Sequence, residues 1–170
     1  MHIKLDDKKF LVKIGQVRAA VNQGVQAGLR EILDQVGLRA VGDHMISGQG
    51  LSVGRGKTVT ASSRVGSAAD PNRLAVKSGR LARSLSPGGG PEGIRRIVET
   101  SEGFRGYMGT RTPYALTHEE GLSVANPISG ASIDFPERPF LHPAVRDVAP
   151  LAPEILKANI IKNLRKMNRT

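Results

Sequence analysis

The stretch "FPERPFLHP", Phe135 to Pro143, holds three prolines, two phenylalanines and a histidine in nine residues. Proline-dense backbone has few conformations to lose, so little entropy opposes its ordering. That property suits a fixed corner better than a catalytic pocket. Immediately downstream, Phe140, Leu141, Ala144, Val145 and Val148 recur at helical spacing, and Pro143 stands where a first-turn proline is tolerated. The corner therefore opens a helix. Pro150 and Pro153 interrupt it, and a last helix is predicted from about residue 154 to 167, with Ile155, Leu156, Ile160, Leu164 and Met167 on its apolar side. Lys162, Arg165, Lys166 and Arg169 crowd its end, where cations oppose the helix dipole.

Working back from the corner, "SIDF" reads as a weak strand and "YALTHEEG", Tyr114 to Gly121, as a helical turn closed by glycine. "IRRIVET", "SEG" and "FRGYMGTR" read as strand, turn and strand, with Arg95 and Arg105 expected on exposed faces for solubility. In "VKSGRLARSLSPGGG", Ser78 is the expected cap of a short helix carrying Leu81 and Leu85 on one face. Further back, Ile14, Val17, Val21, Val25, Leu29, Ile32, Val36, Ala40 and Met45 mark one face of a helix of roughly 50 Å. Gly24 and Gly28 lie on or beside this stripe, where they permit close helix packing; Gly37 and Gly42 are candidate kinks or ends.

Between Ser47 and Arg73 the periodicity stops. The segment holds four basic residues, Arg55, Lys57, Arg64 and Arg73, against one aspartate. Such a stretch is expected to be a flexible loop with a binding role. Its two candidate targets are an acidic surface on a neighbouring subunit and passing DNA, with a solvated insertion that has no partner as the bland alternative; the lack of stacking aromatics favours the protein over DNA. "GRGKT" within it is not a phosphate loop: position 51 is Leu where the motif needs glycine, and a helix rather than a strand precedes it.

The fold class expected is α+β: one domain with a long N-terminal helix and a C-terminal helix packed on a small antiparallel sheet, plus the loop. The 170 residues suffice for a real core, which must be mostly aliphatic since the chain has four Phe, two Tyr and no Trp. A net charge of +10 attracts phosphates or acidic protein surfaces. Absence of cysteine excludes disulfides and thiolate chemistry. No signal peptide or membrane-length apolar run is visible, so a soluble intracellular protein is expected.

Catalytic signals are sparse. His118 before Glu119 and Glu120 lacks the second histidine of a zinc-protease helix, since position 122 is Leu. His142 sits between Leu141 and Pro143 in what reads as a packed corner, and His2 and His44 stand in no acidic or histidine constellation. Ser78 and Ser84 have basic neighbours, but neither has a histidine nearby or a nucleophile elbow. No catalytic residue, metal or cofactor is assigned.

The order of the elements carries a resemblance. Ser78, Gly79, Leu81 and Ser84 approximate a "TG-x-L-x-x-S" element; Tyr114, Ala115, Glu119 and Gly121 approximate "YA-x-x-x-E-x-G". Arg138, Pro139, Phe140, Leu141, Pro143 and Ala144 follow "RPFLRPA", with His142 replacing an arginine. From about residue 14 to 167 the chain resembles the tail-completion, or neck, proteins of long-tailed bacteriophages. The resemblance implies a structural virion protein of the head–tail junction or tail end, made in the host bacterial cytoplasm. It implies assembly into a homo-oligomeric ring, six-fold by the resemblance alone, meeting connector and tail-tube proteins, with no membrane partner. In such a fold the corner would be the rigid passage by which Phe140 and Leu141 anchor the last helix on the sheet. The rival classes are a basic nucleic-acid-binding protein and a hydrolase using His118 or His142.

Overall fold

A computed structural model describes residues 7–47, 74–76, 79–125 and 132–169. The expected cap Ser78 and the loop residues Arg55, Lys57, Arg64 and Arg73 lie outside them.

Helix α1 spans Asp7–Gly42, 36 residues. It starts earlier than expected because Phe10 continues the stripe of Ile14 and Val17 at helical spacing, despite the charges around it. Gly42 closes the helix, whereas Gly37 lies inside it for a different reason. A methyl there would collide with the carbonyl oxygen of Leu85 and with Met108, so glycine lets the following elements approach the helix axis.

Among the described residues, three two-stranded sheets follow. β1 (Met45–Ser47) and β2 (Leu74–Val76) pair in parallel, linking the two sides of residues 48–73. Met45, expected as the last residue of the stripe, therefore starts a strand, and it is buried. Helix α2 (Arg80–Leu85) leads to the hairpin β3 (Gly93–Thr100) and β4 (Gly103–Thr110), paired from Gly93↔Thr110 to Thr100↔Gly103. The short helix α3 (Ala115–Glu120) then enters a second hairpin, β5 (Leu122–Ala125) with β6 (Ser132–Phe135), in which Leu122 pairs with Phe135. The expected "SIDF" strand thus has a partner of its own. After the corner come α4 (Leu141–Val148), a 3-10 turn (Ala149–Leu151) and α5 (Ala152–Met167). The turn holds Pro150, and Pro153 occupies the first turn of α5, where its missing N–H costs nothing.

The core joins Val36, Ala40, Met45, Leu81, Leu85, Ala115, Phe140, Ala144 and Val148, with Ile32, Met108 and Leu141 against it. It therefore sits at the C-terminal third of α1. The mixed helix-and-sheet architecture follows the sequence reading, but the docking partner of the C-terminal helices is chiefly α1. A Cβ on Gly24 would come within 2.6 Å of the Ile160 Cα, and one on Gly28 within 2.9 Å of Leu156 Cδ2. These glycines seat α5 backbone against α1, and the Asn159 amide ties it to Glu31 at 2.8 Å.

Arg95 departs from its expected role on an exposed face. Its position on β3 turns it toward α1, where Nη1 donates to Asp34 Oδ1 at 2.7 Å and Nη2 donates to the Leu85 carbonyl. It ties α1, α2 and β3 together. Arg105 does lie exposed, paired with Glu102 at 2.8 Å. Among the described residues, no helix is long and apolar enough to cross a membrane.

Candidate functional site

The corner that opens α4 has no capping side chain of its own, because Phe140 occupies the cap position. A helix start leaves four backbone N–H groups without partners inside the helix. Glu119, at the end of α3, supplies what the local sequence lacks. Its Oε2 accepts from the N–H groups of Phe140 at 3.0 Å and Leu141 at 3.1 Å, and its Oε1 from that of His142 at 2.8 Å. The fourth position is Pro143, which has no N–H. Every orphan donor of the α4 start is thereby accounted for. The carboxylate also lies at the positive end of the helix dipole and is nearly buried, while the His142 imidazole, 2.8 Å from Oε1, is exposed.

This arrangement joins two of the motifs read separately in the sequence. Tyr114 edges against His118 at 5.8 Å between ring centroids, and Ala115 is in the core. Gly121 ends α3 at φ 71, a conformation that side chains rarely adopt, with Glu137 and the Phe135 carbonyl close behind it. Arg138 donates its backbone N–H to the His118 carbonyl at 2.7 Å. Pro139 precedes the buried Phe140, whose ring fills the core with Leu141 packed beside it. The "THEEG" histidine is thus part of a structural joint. Burial, and then the positive charge of Arg138, push its imidazole below the ordinary histidine range.

The third motif makes a second joint. Gly79, at φ 68, takes the cap position of α2, and Leu81 enters the core. Ser84 is buried and its hydroxyl lies 2.8 Å from Thr110 Oγ1, which lies 2.8 Å from Thr112 Oγ1. Thr112 donates to Glu92 Oε2 at 3.1 Å. Because the carboxylate only accepts, Thr112 gives its proton to Glu92 and Thr110 gives its own to Thr112, while the single Ser84 proton has both Thr110 Oγ1 and the Leu81 carbonyl, at 2.7 Å, within reach. Arg80 closes the circuit with Nε 2.7 and 2.6 Å from the two Glu92 oxygens. Chiefly that Arg80 hydrogen bond, assisted by Thr112, holds the Glu92 carboxyl below its ordinary range. The Ser84 hydroxyl, buried between the Leu81 carbonyl and Thr110, links α2 to the hairpin.

The fold also brings His44 and Asp147 together, Nε2 to Oδ2 at 3.4 Å, a pair that sequence distance concealed. No group of three or more His, Asp or Glu among the described residues is placed to hold a metal ion. A cleft of about 770 Å³ lies between α1, residues 88–90 and the hairpin β3–β4. Arg30, Asp34, Arg95, Arg96 and Glu99 line it with mixed charge, and Arg95 and Asp34 are bonded to each other.

Among the described residues, two groups of exposed apolar side chains stand out beside scattered ones such as Leu38, Tyr107, Val145 and Leu151. Along the N-terminal half of α1 the stripe that forms the core further on emerges into solvent, with Phe10 54%, Ile14 49% and Val17 38% exposed. The adjoining α5 buries none of its residues, and Ile161 is exposed. At the other surface, Leu116 of α3 and the paired Leu122 and Phe135 of the second hairpin are exposed. Comparison of the chain with protein-family models, curated proteins and solved structures found no match.

Proposed function

We propose that this chain is a structural assembly protein, a ring-forming component at the head–tail junction or tail end of a phage or prophage particle. The observation that carries this reading is the use made of the motif residues. Gly79, Leu81, Ser84, Tyr114, Glu119, Gly121, Phe140 and Leu141 are spent on joints that hold helices to hairpins, while apolar surface is left uncovered outside the core. A protein whose polar motifs brace its own fold and whose apolar side chains face outward works through contact with other chains. Its neighbours in the particle are further copies of itself, connector or neck proteins, and tail-tube proteins. Residues 47–73, with Arg55, Lys57, Arg64 and Arg73, remain the proposed interface loop.

Deleting the coding sequence from an inducible prophage should leave filled heads and separate tails that fail to join, or tails of defective ending, seen by negative-stain microscopy. Supplying the chain in trans should restore joined particles. Normal, infectious particles from the deletion would overturn the reading. The nine basic residues on segments 7–21 and 152–169, against two acidic ones, favour nucleic-acid binding as the second reading. Tight binding of a short duplex with a steep salt dependence, alongside normal particle assembly in the deletion, would establish it instead.

A further inference from the structure

We propose that copies of this chain associate head to tail, the arm formed by the N-terminal half of α1 and α5 docking on the α3–β5–β6 end of the next copy. The inference rests on the assembly reading and adds which two surfaces meet. On the arm, Phe10, Ile14 and Val17 follow one another at helical spacing and are exposed, as are Leu11 and Val12 on other sides of the helix. Lys13 and Arg18 flank this stripe by their positions on α1, and α5 carries the exposed cations Lys162 and Arg165 around its own exposed Ile161. Helix α5 meets Gly24 and Gly28 and shares a groove with Gln16, Ala20 and Gln23, yet it leaves Phe10, Ile14 and Val17 exposed.

The opposite surface matches it in apolarity and reverses its charge. Residues 112–125 and 132–137 contain four acidic residues and no Lys or Arg. Glu119 is consumed by the α4 cap, but Glu120, Asp134 and Glu137 are exposed beside Leu116, Leu122 and Phe135. Leu116 and Glu120 share one side of α3 by their four-residue spacing. The hydroxyls of Ser123 and Ser132 hold the Asp134 carboxyl ionised below its ordinary range. Pairing two arms would set cation against cation, whereas arm against acidic end complements both charge and apolar area. A contact between different patches repeats from copy to copy, generating a closed ring or an open filament according to its rotation.

The test uses the full chain and two double variants on exposed helix faces, Ile14→Ser with Arg18→Ser on the arm and Leu116→Ser with Glu120→Ser on the end. Sedimentation velocity should show wild type growing in mass with concentration, and losing mass when salt is raised from about 50 to 500 mM. Each variant, with its circular dichroism unchanged, should need at least tenfold more protein to associate. An equimolar mixture of the two should give a species of two chains and no larger, because each contributes one intact surface. Wild type that assembles equally with either variant would overturn these surfaces while leaving the assembly reading intact. Wild type that stays monomeric at millimolar concentration would overturn the head-to-tail contact, and the prophage deletion would judge the assembly reading separately. Arm substitutions that abolish binding to a 30-base-pair duplex without altering association would assign the arm to nucleic acid instead.

Discussion

Glu119 stands 21 residues before the backbone it caps, and much of the C-terminal structure depends on its two oxygens. Removing them by Glu119→Ala should strand three N–H groups at the α4 start, lowering unfolding free energy by about 2 kcal/mol. Glu119→Gln keeps one acceptor oxygen and should lose less; equal urea midpoints for wild type and the alanine variant would contradict the cap. His142→Asn should change little, since its imidazole is exposed and its N–H, not its ring, completes the cap. His118 sets a pH dependence. Its folded-state pKa is lowered, so as pH falls through about 6.5 the unfolded chain binds a proton that the folded chain resists. Stability should be intact above that value and decline below it, and His118→Gln should flatten the difference between pH 7.5 and 5.5. A wild-type midpoint no more pH-sensitive than the variant's would contradict the burial effect. The sequence did offer one hint of the cap: Phe140 is a poor cap residue, and two acids precede a glycine nearby. It gave no way to choose between Glu119 and Glu120, because that choice is made by how α3 faces the corner.

Among the elements, those with local periodicity or punctuation were legible: the α1 stripe, the β3–β4 hairpin and the proline-opened α4. β1, β2 and β5 were not, since strands of three or four residues have too little pattern of their own and owe their existence to pairing. The side of α1 that receives α5 was half legible, because Gly24 and Gly28 announced close approach without naming the partner. Gly24→Ala should push Ile160 backbone outward and cost about 1–3 kcal/mol, with faster proteolysis of α5 than in wild type. Unchanged proteolysis would mean the helices separate freely at that point. Phe140→Ala should cost about 3–5 kcal/mol, because the ring is 2% exposed and at the centre of the core shared by α1, α2 and α4. A melting temperature equal to wild type would remove its anchoring role.

For the whole molecule, core and surface divide along α1. Its C-terminal third collects all three motifs into one braced unit, and its N-terminal half carries an apolar, basic arm outward. On the assembly reading proposed above, that division supplies a rigid body and an uncovered surface for the next chain. Net charge and composition could not single out a contact surface, since the same stripe serves as core at Val36 and as surface at Ile14. The most direct measurement is quantitative mass spectrometry of purified particles from the induced prophage, comparing this chain with the major tail-tube protein and the connector. A fixed copy number equal to a small ring, retained through gradient purification and lost together with head–tail joining in the deletion, is the expected result. Purified, infectious particles containing none of the chain would contradict a structural role in the virion.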